Sequence, residues 1–469
     1  MSSTNKPQRR EFLQQTVAAA TIWKLLPDSL QADEQSGQSG QPLRLASFHF
    51  DVTPPLGHSL CGGWIKPVEG VTDNLQAIGF VLLGAGKPIV IVAVDWTGIL
   101  NEAHVQWRTA LANAAGTTPD RVAVQCVHQH NAPFACLGAE KIVMAEGDLP
   151  HIVEVDYFND CLKRGAAAVR DSLGTAQAVT HVGQGEAKVD RVASNRRIYR
   201  DTYGIIKAMR GSSCKDPKLR AMTEGIIDPM LKTVAFYNDD KKIAACHYYA
   251  THPMSYYGDG LVSSDFVGIA RKQHQAEEPH CHHIYFTGAG GNISAGKYND
   301  GSHPVRKVLA KRIYDGIAAA GKNIKKKPLT DVAWRTVEML PTARDLLIAD
   351  ELQARISNKS NSTVNRNRPS YMLSWLQRLE QKTPILLSAL SLGDISLLHL
   401  PAESFIEYQL RAQTLAPNRF VATAAYGDGG PWYIPIAQEY ANGGYEVSVA
   451  FSDSSIDATM TAGIAKLLG

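Results

Sequence analysis

The sequence lacks most of the features that place a chain in a specialised class at sight. Its seven cysteines are odd in number and scattered, with no Cys-x-x-Cys pair. That excludes a disulfide-framed scaffold and a cysteine zinc module, though isolated disulfides stay open. Neither charge sign dominates: 48 Lys and Arg face 45 Asp and Glu, a net +3, and there is no long basic run. A nucleic-acid binder is excluded, because it needs concentrated positive charge to displace counterions. No apolar stretch is long enough to cross a bilayer. The most apolar, Phe80 to Leu100, is broken by Lys87-Pro88 and Asp95. No internal repeat is visible. What remains is ordinary globular composition, 44% hydrophobic and 20% charged over 469 residues, enough for a large core.

The two ends of the chain read differently. Arg9-Arg10-Glu11-Phe12-Leu13, followed by a short apolar segment to Trp23, resembles a twin-arginine export signal. Residues 1–32 are therefore expected to be an address for the periplasm or exterior, and 33–42 (DEQSGQSGQP) a flexible linker. From 43 to 469 strand-like alternation and helical periodicity interleave, predicting one large α/β (or α+β) domain of mixed sheets flanked by helices. Strands are expected at 43–51, 77–84, 88–95, 121–128, 231–237, 242–250, 282–287, 331–338, 385–391, 394–400 and 419–426. The polar stretch 357–369 reads as an exposed loop between two helices.

Chemistry-bearing residues gather just past the strands. Alternation over 121–128 continues to place His128 and His130 on one face. His252 precedes Pro253 beyond a second strand, Glu403 follows a third, and Tyr433 lies beyond a fourth. Ligands collect at the carboxyl ends of strands in α/β sheets, where loops can vary without disturbing the core. His128, His252 and Glu403 would form a two-histidine, one-glutamate set of the kind that holds catalytic zinc. Each piece also has an ordinary structural reading, as a hydrogen-bonded strand histidine or a turn cap. His280, His282 and His283 read as structural or surface residues.

The order of the motifs carries more information. Phe50-Asp51-Val-Thr-Pro-Pro55, Gly62-Gly63-Trp64, Val127-His128-Gln-His130-Asn-Ala-Pro133, Asn195-Arg196-Arg197, Thr251-His252-Pro-Met-Ser255, Leu261-Val-Ser-Ser-Asp265, Gly291-Asn-Ile-Ser294, Pro401-Ala-Glu403 and Tyr433-Ile434 occur in one line. Together they resemble the catalytic domain of the neutral (neutral/alkaline, non-lysosomal) ceramidases, from about residue 44 to about 447. The resemblance implies zinc held by His128, His252, Glu403 and Tyr433. It implies catalytic roles for His130, Arg196 and Ser294, and substrate contact by Asn195, Arg196 and Ser294. Zinc-activated water would attack the amide carbonyl of an N-acyl (sphingo)lipid or related amide. The partner expected is thus a small-molecule or lipid amide, with contact at a membrane surface left open. Asn131, Asn292 and Ala295-Gly296 depart from the family pattern, and its C-terminal immunoglobulin-like domain is expected to be absent. The same site would also suit a zinc hydrolase of another ester or amide, sugar or cell-wall derived, or a binding protein without turnover.

Overall fold

The computed structural model of the chain describes residues 33–36 and 42–469. The expected leader over 1–32 and residues 37–41 of the expected linker lie outside the described residues. Asp33–Ser36, read as linker, instead form a strand antiparallel to Val332–Met339. The eleven expected strands are all present to within two residues at each end. His181–Lys188 is an additional strand whose alternation is masked by Gly183 and Gly185. Gly185 is required there, since a Cβ would meet the Ala320 carbonyl oxygen at 2.3 Å. The expected loop 357–369 is partly helical. Ser362 caps a helix at Thr363–Glu380, its Oγ accepting from the Asn365 amide at 3.4 Å. Pro369 lies inside that helix, where the carbonyl it cannot serve belongs to exposed Asn365 and is open to solvent.

The strands build three five-stranded sheets with one shared layout. The first runs Gln177–Ala178, Arg44–Asp51, Gln76–Leu83, Ile89–Val94, Val122–Cys126. The second runs Lys325–Pro328, His181–Lys188, Met230–Asn238, Lys241–Tyr249, His282–Thr287. The third runs Asp33–Ser36, Val332–Met339, Ile385–Leu392, Ile395–His399, Phe420–Ala424. In each, the first four strands are antiparallel and the last pairs parallel to the fourth. A parallel step needs a crossover, and a helix supplies it each time: Glu102–Ala115, Asp265–Glu277 and Ile406–Leu415. A second helix follows in each unit, Val155–Leu173, His303–Lys322 and Ile456–Leu468. In the first two units it leads into the far edge strand. In the third, Asp33–Ser36 fills that edge from the other end of the chain.

The domain is therefore one unit repeated three times and closed circularly, which corrects the expectation of no internal repeat. The repeat is hidden because equivalent strands are filled differently: Ile89-Val-Ile-Val-Ala-Val94, Ile243-Ala-Ala-Cys-His-Tyr248 and Ile395-Ser-Leu-Leu-His399. Topology needs only apolar residues of workable size, not the same ones.

One face of each sheet contributes to a common core. Ile78, Phe80 and Ile91 of the first sheet meet Val234, Phe236 and Ile284 of the second and Leu390, Leu397 and Ala422 of the third. All seven cysteines are buried and free. The three parallel edge strands meet at their carboxyl ends in a ring of hydrogen bonds. The Cys126 amide donates to the Tyr426 carbonyl (2.8 Å), the Ala425 amide to the Thr287 carbonyl (2.8 Å), and the Thr287 hydroxyl to the Val127 carbonyl (2.7 Å). This junction fixes where residues just past each strand project. Leu397→Ala, at a fully buried position of the shared core, is expected to cost about 2–5 kcal/mol through lost burial and the cavity left. Urea unfolding measures the cost, and metal content should not change.

Candidate metal centre

His128, His252 and Glu403 come together at this junction, one from each unit. His128 follows Val122–Cys126, which ends at Cys126, so strand alternation does not continue to it; its φ is +77°. Ala402 (+50°), Tyr426 (+62°) and Trp432 (+65°) share this left-handed conformation. For residues with a Cβ that costs about 1–3 kcal/mol each, and such residues collect where a site is held against its local preference. Here the four either enter the cluster or immediately precede Glu403 and Tyr433. Those two residues are direct partners in a two-residue parallel pairing, Glu403 with Tyr433 and Ser404 with Ile434.

Hydrogen bonds settle which atoms face inward. His128 Nδ1 lies 2.6 Å from the Thr97 carbonyl, and His252 Nδ1 lies 2.7 Å from the Gly290 carbonyl. A carbonyl only accepts, so each Nδ1 carries the proton and each Nε2 presents a lone pair. The two Nε2 atoms are 3.2 Å apart, and Glu403 Oε2 lies 3.2 Å from His128 Nε2 and 3.0 Å from His252 Nε2. Burial opposes charge on Glu403, yet the imidazoles facing it hold its carboxyl well below the usual range, so it is ionised. Burial pushes His252 down, against the pull of Glu403, and the imidazole is neutral. Two imidazole nitrogens and a carboxylate oxygen thus converge, and a single proton cannot satisfy all three contacts. One proton on either imidazole would leave at least one acceptor–acceptor contact unrelieved.

A cation removes the conflict. Zinc with N and O ligands near 2.0–2.1 Å sets neighbouring ligands of a tetrahedron about 3.3 Å apart. The observed separations of 3.0–3.2 Å fit that requirement. A fourth group is in place: the Tyr433 hydroxyl is 3.4 Å from His252 Nε2 and accepts from Arg196 Nη1 at 3.2 Å. Burial and the Glu403 charge raise the Tyr433 phenol well above its ordinary value. Although burial opposes its charge, the Arg196 guanidinium is held protonated by Tyr433 and Glu446.

The remaining expected residues divide. His130 stands edge-on to His128 with centroids 4.9 Å apart, and its Nδ1 is buried without a partner. Burial, then the neighbouring His128 and His252, hold it far below its usual value and therefore neutral. Ser294 is not joined to this cluster through its hydroxyl, which donates to the Gly211 carbonyl (3.2 Å) and accepts from the Gly296 amide (3.4 Å). Its backbone bridges to His252 and pairs with Ser194. Asn195 is likewise occupied, by the Ile226 carbonyl (3.0 Å) and the Arg197 amide (2.9 Å). Of the His280, His282 and His283 group, His283 joins Glu278 and Cys281 in a second cluster. Lys242 Nζ already neutralises Glu278 there at 2.5 Å.

Sequence reasoning missed Tyr426, whose ring stacks on His128 at 4.3 Å and whose hydroxyl lies 3.3 Å from His252 Nδ1. Its position at a strand end before Gly427-Asp-Gly-Gly was the available signal. A small pocket opens on His128 and Glu403, with apolar walls from Leu100, Phe134 and Trp432.

The chain is a mixed α/β domain in which a carboxylate–imidazole cluster at converging strand ends could hold a metal ion. Among solved structures the chain is similar to neutral ceramidase from Pseudomonas aeruginosa, with a TM-score of 0.65 at 16% identity, covering 91% of this chain and 74% of that one. A ceramidase complexed with C2 matches at 0.64 and 16%, covering 91% and 75%. The fold is that of these ceramidases. No protein-family model matches the sequence, and no curated protein does. No helix among the described residues is long and apolar enough to cross a membrane.

Proposed function

We propose that the protein is a zinc-dependent hydrolase of carboxamides and a divergent member of the neutral ceramidase family. The observation that carries this reading is the meeting of two Nε2 lone pairs and an ionised carboxylate within 3.0–3.2 Å of one another, beside Tyr433. His128, His252, Glu403 and Tyr433 would hold the ion. When bound, zinc supplies Lewis acidity, lowering the pKa of water and polarising a carbonyl oxygen.

The chain's own residues have distinct tasks around it. Thr97 and Gly290 orient the two imidazoles through their carbonyls. Arg196 brings positive charge to the Tyr433 oxygen, where charge developing on an amide oxygen would also be favoured. Neutral His130, with Nδ1 unclaimed, can take a proton and return it to the leaving amine. Ser294 acts through its backbone, setting His252 against the Asn195–Arg196 segment. Apolar Leu100, Phe134 and Trp432, beside His128 and Glu403, keep bulk water from that side of the site. The Arg9-Arg10 leader adds export through the twin-arginine route, with the protein working outside the cytoplasm.

Elemental analysis of the purified protein should find zinc stoichiometric with the chain. Exhaustive chelation should abolish hydrolysis of N-acyl amides, and added zinc should restore it. A metal-free protein that cleaves such amides at the original rate would refute the proposal. Hydrolysis of acyl esters or acylated sugars alone would move the reading to another bond, and metal without any turnover to a binding protein.

A further inference from the structure

The helix Thr363–Glu380 carries three buried or half-buried arginines, and two are fully engaged. Arg366 pairs with Asp148 at 2.8 Å, and Arg378 with Asp428 at 2.6 Å. Arg368, between them, has no hydrogen-bonded or ion-pair partner among the described residues. Its Nε is buried and unpartnered, while the residue as a whole reaches the surface. Its guanidinium lies over the Trp64 ring, 5.1 Å from the centroid. An arginine held partly out of water without a counter-charge is costly unless something supplies one.

Its surroundings lead to the metal centre. Trp64 stacks on Trp432 at 5.4 Å, and Trp432 shares the pocket wall with His128 and Glu403. On another side Tyr445 feels the Arg368 charge and meets Tyr433 edge-on at 5.8 Å. Trp64 Nε1 and the Tyr371 hydroxyl are also buried without partners, and their rings lie 5.7 Å apart. Donors lacking acceptors therefore cluster beside Arg368, next to the site and outside the groups assigned to the chemistry.

We propose that Arg368, backed by Trp64, is a specificity-determining subsite for an oxyanion on the substrate. The amide cleaved would carry a carboxylate or phosphate near the scissile bond, unlike an uncharged sphingolipid amide. This rests on the hydrolase reading for the reaction but on Arg368 for the charge. A guanidinium fork matches both oxyanions, and a site built for such a partner discriminates strongly against analogues that lack it.

The test uses the zinc-loaded full chain and amides matched in length. N-lauroylglycine and N-lauroylethanolamine phosphate carry the oxyanion on the amine side, and N-dodecylsuccinamate carries it on the acyl side. N-lauroylethanolamine is neutral. At least one charged member should be preferred over the neutral one by about 10–100-fold in kcat/KM. Arg368→Gln should collapse that ratio towards unity, mainly through KM, and Arg368→Lys should restore part of it. Calorimetric binding of the same compounds gives a readout independent of turnover. Equal binding of charged and neutral members, or an unchanged ratio in Arg368→Gln, would overturn the subsite and leave the hydrolase reading intact. Arg368-dependent binding of a charged amide without any hydrolysis would uphold the subsite and defeat the hydrolase reading. The carboxylate and phosphate members decide which oxyanion it takes.

Discussion

His128→Ala should yield a folded protein that retains little or no zinc and hydrolyses N-acyl amides at least about 10³-fold more slowly than the parent. The imidazole is one of three converging acceptors, 3.2 Å from both of the others. Its loss leaves His252 and Glu403 with only the Tyr433 phenol beside them, a set short of the donors that zinc takes. Alanine keeps a Cβ, so the left-handed backbone at φ +77° costs about as much as before, and the substitution removes chemistry alone. Folding and function should therefore part company. Circular dichroism and the unfolding midpoint should stay close to the parent while zinc content falls. His130→Ala gives the contrasting pattern, because its ring touches the cluster without presenting a ligand to it. Zinc should remain stoichiometric, with kcat reduced about 10²–10⁴-fold for loss of a proton carrier. Full zinc occupancy in His128→Ala would show that the ion sits elsewhere.

Arg378→Met is expected to be the most damaging change outside the cluster. Asp428 is buried and held by Arg378 at 2.6 Å, with its other oxygen accepting from the Asn101 and Gly430 amides at 3.0 and 3.2 Å. The same guanidinium also serves the Thr383 and Pro384 carbonyls at 3.0 and 2.7 Å. Removing one partner of a buried pair strands the other charge, at a cost of about 3–5 kcal/mol. Asp428 lies in the turn between Tyr426 and Tyr433, so metal affinity should weaken along with stability.

The pH dependence gives the mechanism a sign. Burial opposes ionisation of Asp428, but Arg378 and then His104 hold its carboxyl below the ordinary range. Its contribution in the parent is therefore complete above the unfolded carboxylate value of about 3.9 and is lost as pH falls through the lower folded value. Without Arg378 the buried carboxyl should rise above its unfolded value and favour the protonated form. The gap in urea stability between variant and parent should then narrow as pH is lowered from about 7 towards about 4. A gap that stays constant would mean that lost packing, not stranded charge, sets the cost.

Much of this was legible along the chain because strand formation is governed by two-residue periodicity. The alternations around Val122–Cys126, Ile395–His399 and Phe420–Ala424 located strands whose ends then carried His128, Glu403 and Tyr433. His181–Lys188 escaped because its glycines are chosen for the approach of Ala320, a contact remote in sequence. The first turns of the helix Thr363–Glu380 escaped because polar residues and Pro369 suggest a loop until Ser362 is seen to cap it. Ser294 shows the limit of motif reading: the segment is where the order of motifs put it, yet its hydroxyl is taken up by Gly211 and Gly296.

The sequence by itself determined the strands, the apolar faces, the placement of histidine, glutamate and tyrosine at strand ends, and the resemblance that joined them. These follow from local spacing and residue type, which act over a few positions. Only the tertiary structure decided that there are three equivalent sheets, that Asp33–Ser36 completes the third, and that the three parallel edge strands meet. It also decided that Nδ1 of both histidines is claimed by backbone carbonyls, leaving two lone pairs and a carboxylate facing one another. These facts depend on sheet order and on contacts between residues far apart in the chain, fixed by packing of the whole core, where many side-chain combinations satisfy one topology.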